Sequence, residues 1–535
     1  MLFALAVAVS GGVLLHWLGR LTFWRDEWGF LLDRRGSGIG VFLDPFVEQL
    51  LAIPVLIYKV LVGTFGMDSP LPFQLVSVAL FLLSAVLLYI YVGRRVGPWL
   101  ALAAALPILF LGQAWDDLLF PFQLSFFGSM SCGLGALLAL DRDDSPGEVL
   151  ATALLTVGLF FSHLGIPFVA AVALEIASRG DRFRRVWVVA VPTAVWLAWY
   201  LGWGHNATNF VSFHNFATLL NYVPDGISSS LSSILGLGAP RDETAITPLD
   251  WGRPLLVAAA GVAIWRLATM GPVPRRFWTA LALLTVFFAL TGLNASFFGQ
   301  ADSGRYQYAG GIFVILVAAE LARGIRVGRW LTAGALAVAC LAALSNFSTL
   351  RDSANGLAGI ARQEKGGLAA LELTRGQVDP RFHLTEENSD VDYLLLLRAD
   401  RYFSAVDDWG SPSYTPAELA SSSEESRVAA DKVFAAALRV KLAPAGAGFT
   451  RPRGCRPLAQ GSPVRLPSGG AVVSATSGRP KLALRRYSLT DWPVPLGSLK
   501  AGETATLAIP RDLSPVPWSL ALTGPGAVTV CAPRG

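Results

Sequence analysis

The segment FWRDEWGFLLDRR at 23–35 sets Arg25, Asp26, Glu27, Asp33, Arg34 and Arg35 among Phe23, Trp24 and Trp28. At the centre of a bilayer each such charge would cost roughly 2.5–3.5 kcal/mol. The cluster therefore lies outside the hydrocarbon or lines a polar cavity. Asp26 and Glu27 are adjacent, so on a helix they point about 100° apart and one of them faces any given substrate atom. A carboxylate flanked by Trp24 and Trp28 is partly desolvated, which raises its basicity towards that of a general base. The alternative is a solvated first loop in which Arg25 and the Trp side chains anchor a helix end.

Three further places offer chemistry. WDDLLFPFQ at 115–123 supplies a second acidic pair, Asp116 and Asp117, which could divide work with Asp26 between base and acceptor binding or simply end a helix. A carboxylate-only site of this kind would take Mg or Mn if it took a metal, and nothing in the sequence requires one. QADSGRYQYAGG at 300–311 places Arg305 and Tyr306 just before an apolar run. Arg beside free helix N–H groups suits a phosphate, whereas Tyr and Arg also make ordinary interfacial belts. His163, in SHLG, reads as a phosphate or hydroxyl contact or as a satisfied polar residue at a helix break. Lys59 is a further cation inside an amphipathic stretch. His205 and His214 lack partners at metal-ligand spacing, and GSGIG at 36–40 lacks the strand that a nucleotide-binding loop requires.

The elements that must position these groups are hydrophobic. Of 535 residues, 53% are hydrophobic and 15% charged, with mean hydropathy +0.50, values that exclude an ordinary soluble protein and imply an integral membrane one. The net charge of +5 comes mainly from Arg distributed in loops, which argues for membrane orientation and against nucleic-acid binding. Apolar runs fall at about 2–19, 71–93, 98–114, 119–140, 149–162, 165–178, 185–203, 254–270, 277–293, 309–322 and 329–345, about eleven spans. The first lacks a basic leader and a small-residue cleavage site, and reads as a retained helix. Arg94 and Arg95, Arg179 to Arg185, Arg275 and Arg276, and Arg323 to Arg329 occupy alternate loops, cytoplasmic if the N-terminus is inside. RDEW, WDD, SHLG, the 204–250 segment and DSGRYQY then share the other face with the C-terminal region. The stretch 45–66, with Glu48, Pro54 and Lys59, suits a helix along the outer interface.

The expected fold is thus an α-helical polytopic membrane protein with a C-terminal α+β extracytoplasmic region. Its parts are a transmembrane domain at 1–346, a mainly helical connector at 347–440 and a small β-sandwich at 441–535, where alternating runs such as GAVVSAT, ETATLAIP and AVTVC are separated by Gly/Pro turns. Cys132 and Cys340 fall in apolar runs. Cys455 and Cys531 fall in the sandwich and could form one disulfide in an oxidising compartment.

Four features resemble, in order, the GT-C superfamily of polytopic lipid-sugar-dependent glycosyltransferases, which includes protein mannosyltransferases and aminoarabinose transferases. They are Asp26-Glu27 after the first span, an interfacial helix ending in Phe65-Gly66, Arg94-Arg95 closing a helix, and Arg305-Tyr306 before a late span. Where members often carry a Lys at the short-helix break, this chain has Ser162-His163. The C-terminal region looks like an accessory domain of actinobacterial-type membrane proteins, reminiscent of a carbohydrate-binding module or serving as a lid. The resemblance implies a bacterial cell-envelope enzyme that moves a sugar from a polyprenyl-phosphate donor to a glycan, lipid or protein acceptor outside the cytoplasm. Asp26, or Glu27, would be the base, and Arg305, with His163 or Lys59, would stabilise the leaving phosphate. A transporter of lipid-linked sugars and a non-catalytic glycan-binding scaffold are the other classes. The first should show internal repeats; the second should keep its role in the C-terminal region alone.

Overall fold

The computed structural model describes every residue except 209, 239–247, 296–298, 386–387, 389–396, 446–454 and 533–535. Each of the eleven apolar runs forms a helix: Leu2–Leu18, Leu71–Val96, Pro98–Leu109, Leu124–Leu140, Ser145–Phe161, Gly165–Ala177, Trp187–Gly202, Pro248–Thr269, Arg275–Leu293, Gly304–Leu321 and Arg329–Leu373. Among the described residues, four helices are long and apolar enough to cross a membrane: Leu71–Val96, Pro121–Leu140, Arg275–Leu293 and Arg329–Leu373. The pair Pro98–Leu109 and Gly112–Leu118, bent by 44°, makes a fifth. Several others stop at 17 residues or fewer, about 26 Å of rise and just short of a ~30 Å hydrocarbon layer.

The chain divides into two compact units. One comprises 1–19, 34–61 and 71–355; the other comprises 20–33, 62–70 and 356–535. The division falls about ten residues beyond the expected boundary, and the second unit also takes the RDEW segment.

In the first unit the Gly304–Leu321 helix is deeply enclosed, with an unbroken buried run from Tyr306 to Leu316. Hydrogen bonds at the helix ends sort them into two sets. Gly112 N–H donates to Asn346 Oδ1, Asn346 Nδ2 to Ser233 O, Gln113 Nε2 to Gly238 O, and Asn215 Nδ2 to Leu293 O. Those are the ends that charge bias places on one face. The other ends meet through Arg95, Arg179, Arg185 and Arg276, each ion-paired. The 204–250 segment, expected as an outer loop, contains a 22-residue helix, Phe213–Ile234; part of the segment lies outside the described residues. Asn215 and Ser233 near its two ends both bond to the first set, so this helix begins and ends on one side and leaves the alternation of the Arg loops intact.

The second unit contains the short Asp26–Asp33 helix, the last turns of Arg329–Leu373, and the helices Ala399–Trp409, Pro416–Ser421 and Glu424–Ala437. Gly66, of the Phe-Gly pair, takes φ +71° and lies against Trp409, where a Cβ would come within 2.5 Å of the carbonyl oxygen; only glycine fits that turn without strain.

Among the described residues nine strands follow: β1 Leu442–Pro444, β2 Arg456–Leu458, β3 Val464–Arg465, β4 Ala471–Gly478, β5 Lys481–Arg485, β6 Val494–Ser498, β7 Thr504–Leu507, β8 Ser519–Leu522 and β9 Gly526–Cys531. They form a five-stranded sheet, β1-β7-β4-β9-β2, and a four-stranded sheet, β3-β8-β5-β6, and every pairing is antiparallel. Cys455 and Cys531 are disulfide-bonded, at the edge where β2 pairs with β9. Asp431 ties the Glu424–Ala437 helix to the sheets by accepting the N–H groups of Arg486, Tyr487 and Ser488.

Candidate functional site

In the second unit, the two adjacent carboxylates of RDEW are treated differently. Glu27 is completely buried, and its Oε2 accepts the backbone N–H of Trp24 at 3.0 Å. That is half of a capping box, with a Glu in the first turn satisfying an N–H that the helix leaves open. Asp26, one position earlier, is part-exposed. Burial thus turns Glu27 to a structural task. Arg25, just before the helix, takes φ +51°, and its guanidinium lies 3.9 Å from the Trp24 ring centroid. A left-handed Arg is uncommon, and such backbone conformations gather at functional sites. Trp28 is wholly buried and donates from Nε1 to Glu364 Oε1 at 2.7 Å. Asp33 pairs with Arg401.

In the first unit, Asp116, Asp117, Arg305 and Tyr306 come together at the end opposite the Arg pairs. Gly304 abuts Gln113, where a Cβ would lie 3.0 Å from the carbonyl oxygen. This close approach brings Arg305 Nε to 3.9 Å from Asp116 Oδ2. Asp117 is fully buried, and neither of its carboxylate oxygens has a hydrogen-bond partner among the described residues. Arg305 is near enough to act electrostatically on Asp117 and on Glu48. Tyr306 hydrogen-bonds to Tyr222 of the Phe213–Ile234 helix.

Glu48 enters as a site residue that sequence spacing does not single out. The expected helix over 45–66 begins only at Ala52. Before it, a tight turn pairs Phe46 with Gln49, and Val47 takes φ +56°. Glu48 sits in that turn with Oε2 buried and without a hydrogen-bond partner among the described residues. Burial pushes its pKa up to about 7, against the opposing pull of hydrogen bonds from its own backbone and Gln49 and of the Arg305 charge. Glu48 therefore exchanges its proton near neutrality, which suits acid–base work. The signal available in the sequence was a lone carboxylate, between Pro45 and the apolar run, without a basic neighbour.

Ser162 Oγ reaches Gln49 Oε1 at 3.4 Å, which brings the SHLG break to the same turn. His163 packs edge-on to Trp196 and Trp199, with ring centroids 6.3 and 6.1 Å away. Burial lowers its pKa to about 4, so a neutral imidazole can offer a hydrogen bond there but no positive charge. Lys59 is placed elsewhere: its ammonium donates to the carbonyls of Arg34, Arg35 and Gly36 at 2.9, 3.3 and 2.7 Å. Three acceptors saturate the three N–H donors of an ammonium. Among the described residues, no three His, Cys, Asp or Glu side chains come together so as to hold a metal ion.

No protein-family model and no curated protein matches the chain. Solved structures with some likeness to it in backbone arrangement are found. One is ArnT from Cupriavidus metallidurans bound to undecaprenyl phosphate, at 14% identity and TM-score 0.36 over 76% of this chain and 87% of that one. Another is the arabinosyltransferase EmbB from Mycobacterium smegmatis, at 12% identity and TM-score 0.35 over 99% of this chain and 64% of that one. The chain thus spans less than two thirds of EmbB. Likeness at this level transfers no residue role from either structure.

Proposed function

We propose that the protein is a membrane glycosyltransferase that moves a sugar from a polyprenyl-phosphate donor to an acceptor hydroxyl on the extracytoplasmic face. The observation that carries this reading is the split between Asp26 and Glu27: Glu27 is wholly buried and bonded to its own backbone, whereas Asp26 is part-exposed. Asp26 takes the proton from the acceptor hydroxyl as its oxygen attacks the anomeric carbon. The new C–O bond forms while the bond to the donor phosphate breaks, through an oxocarbenium-like transition state. One displacement inverts the anomeric configuration. The departing phosphate monoester needs charge stabilisation more than a proton, and Arg305 supplies it. A neutral Glu48 beside Arg305 adds a hydrogen-bond donor and removes a repulsive charge. Apolar helices keep the donor's lipid tail in the bilayer while its head reaches the polar end, and the Arg-lined loops face the cytoplasm.

The test is transfer from a polyprenyl-phosphate sugar in proteoliposomes. Asp26→Asn and Asp26→Ala should each lose about 10²–10⁴-fold in turnover, the scale of a general base, with expression and melting temperature unchanged. Near-normal turnover in both variants removes Asp26 from the reaction.

A further inference from the structure

The Asp26 carboxylate is presented by a helix of eight residues, too short to hold its own rotation, so something else must fix it. Trp28 lies two positions after Asp26 on that helix. Its ring meets Phe23 and Tyr402 edge-on at 5.9 and 5.8 Å, and its Nε1 makes the 2.7 Å hydrogen bond to Glu364.

Glu364 belongs to the Arg329–Leu373 helix. That helix is about 68 Å long at 1.5 Å per residue, more than twice a hydrocarbon layer. The apolar run ends at 345, and Glu364 lies beyond it in the chain, between Arg362 and Lys365, in the second unit. Glu364 therefore stands clear of lipid, yet it is only 1% exposed. Oε1 accepts from Trp28, while Oε2 is buried and has no hydrogen-bond partner among the described residues. The titratable groups that face it are Glu27, Lys365 and Tyr402. A second anion beside the buried Glu27 is costly in so dry a place. Burial is the main cause that pushes the pKa of Glu364 up to about 8, with Glu27 adding to it; the Trp28 bond and Lys365 oppose them.

We propose that Glu364 is a positioning residue for Asp26: its hydrogen bond to Trp28 fixes the rotation of the Asp26–Asp33 helix, and ionisation of Glu364 sets a second charge against Glu27 that displaces this helix while the indole bond persists. The proposal rests on Asp26 being the base. Glu364 touches no substrate; it acts through Trp28. At neutral pH the uncharged acid accepts from the indole and coexists with Glu27. Once Glu364 loses its proton, two like charges occupy one dry contact, and the helix shifts to separate or hydrate them.

Two measurements on the full-length protein test this. In the transfer assay, wild-type turnover should fall about tenfold between pH 7 and pH 9, following an acid of pKa about 8. Glu364→Gln keeps a carbonyl for Trp28 and cannot ionise, so it should match wild type at pH 7 and hold its rate to pH 9. Glu364→Ala should be slower at every pH. An alkaline fall in Glu364→Gln equal to that of wild type overturns the proposal. Infrared spectroscopy supplies a readout independent of transfer. Wild type should show a protonated-carboxyl band that fades near pH 8 and is missing from Glu364→Gln; identical spectra for the two proteins also overturn it. If the band behaves as expected while the Asp26 variants remain active, it is the role of Asp26 that fails, not the protonation of Glu364.

Discussion

The two ends of the helical unit handle buried charge in opposite ways. At one end, Arg95 Nε lies 2.5 Å from Glu320, Arg276 Nε 2.9 Å from Glu175, and Arg185 Nε 2.6 Å from Asp181. Asp141 is shared by Arg95 and Arg276, and Asp143 by Arg179 and Arg185. At the other end, Asp117 has no hydrogen bond to either oxygen among the described residues; Glu48 leaves one oxygen unmatched, as Glu320 does at the first end, where Arg323 lies 3.7 Å from it. Matched charges lock helix ends together and fix which helices are neighbours. Unmatched charges cost stability, and folds keep them where a ligand supplies what is missing. Chemistry therefore belongs at the loosely paired end and structural work at the tightly paired one.

The contrast can be broken by substitution. The largest effect on stability should come from the matched end: Glu320→Ala takes one of the two carboxylates from Arg95 and the acceptor from Tyr91 and should cost about 1.5–3 kcal/mol, read as a lowered denaturation midpoint in detergent. A loss below ~1 kcal/mol would mean that the Arg end is not a lock. At the other end, Arg305→Ala should cost about 10²–10³-fold in transfer, or roughly 3–4 kcal/mol of barrier, with little change in melting temperature. Asp117→Asn removes a buried, unmatched carboxylate and should leave the melting temperature unchanged or raise it; a clear drop would reveal a partner for Asp117. The smallest effect is a pH dependence. A carboxyl group whose pKa rises on folding binds its proton more tightly in the folded state, so its contribution favours folding at low pH. For Glu48 that contribution is present in full below the ordinary carboxylate range and is lost as pH rises through about 7. Melting temperature should decline over that window in wild type and decline less in Glu48→Gln.

Much of the helical framework was legible because a run of apolar side chains long enough to approach the bilayer thickness has few other solutions. The Phe213–Ile234 helix was not. Its C-terminal half reads ISSSLSSI, and Ser suggests a loop, yet Ser228, Ser229, Ser230, Ser232 and Ser233 are all fully buried. Ser230 and Ser232 donate to carbonyls of their own helix, so their hydroxyls are satisfied locally and a low-hydropathy segment packs inside. In the β region the longer alternating runs were readable, whereas β1, β2 and β3 have only two or three residues, below any periodicity. Lys59 could be located in the sequence, but its capture by three carbonyls of a preceding turn depends on a chain reversal that spacing does not encode. The division between Asp26 and Glu27 is likewise invisible to spacing: adjacency shows that they point apart, not which one turns inward.

The strand order of the larger sheet sets a timetable. β4 is flanked by β7 and β9, so its two partners are synthesised after it, and β9, which also carries half of the Cys455–Cys531 bridge, comes after all the others. Until Gly526–Cys531 has emerged from the ribosome, β4 has an open edge and Cys455 has no mate. A frameshift or proteolytic clip in the final dozen residues would thus undo the middle of this sheet and not merely fray its margin, and the nascent region would need shielding from aggregation throughout its synthesis.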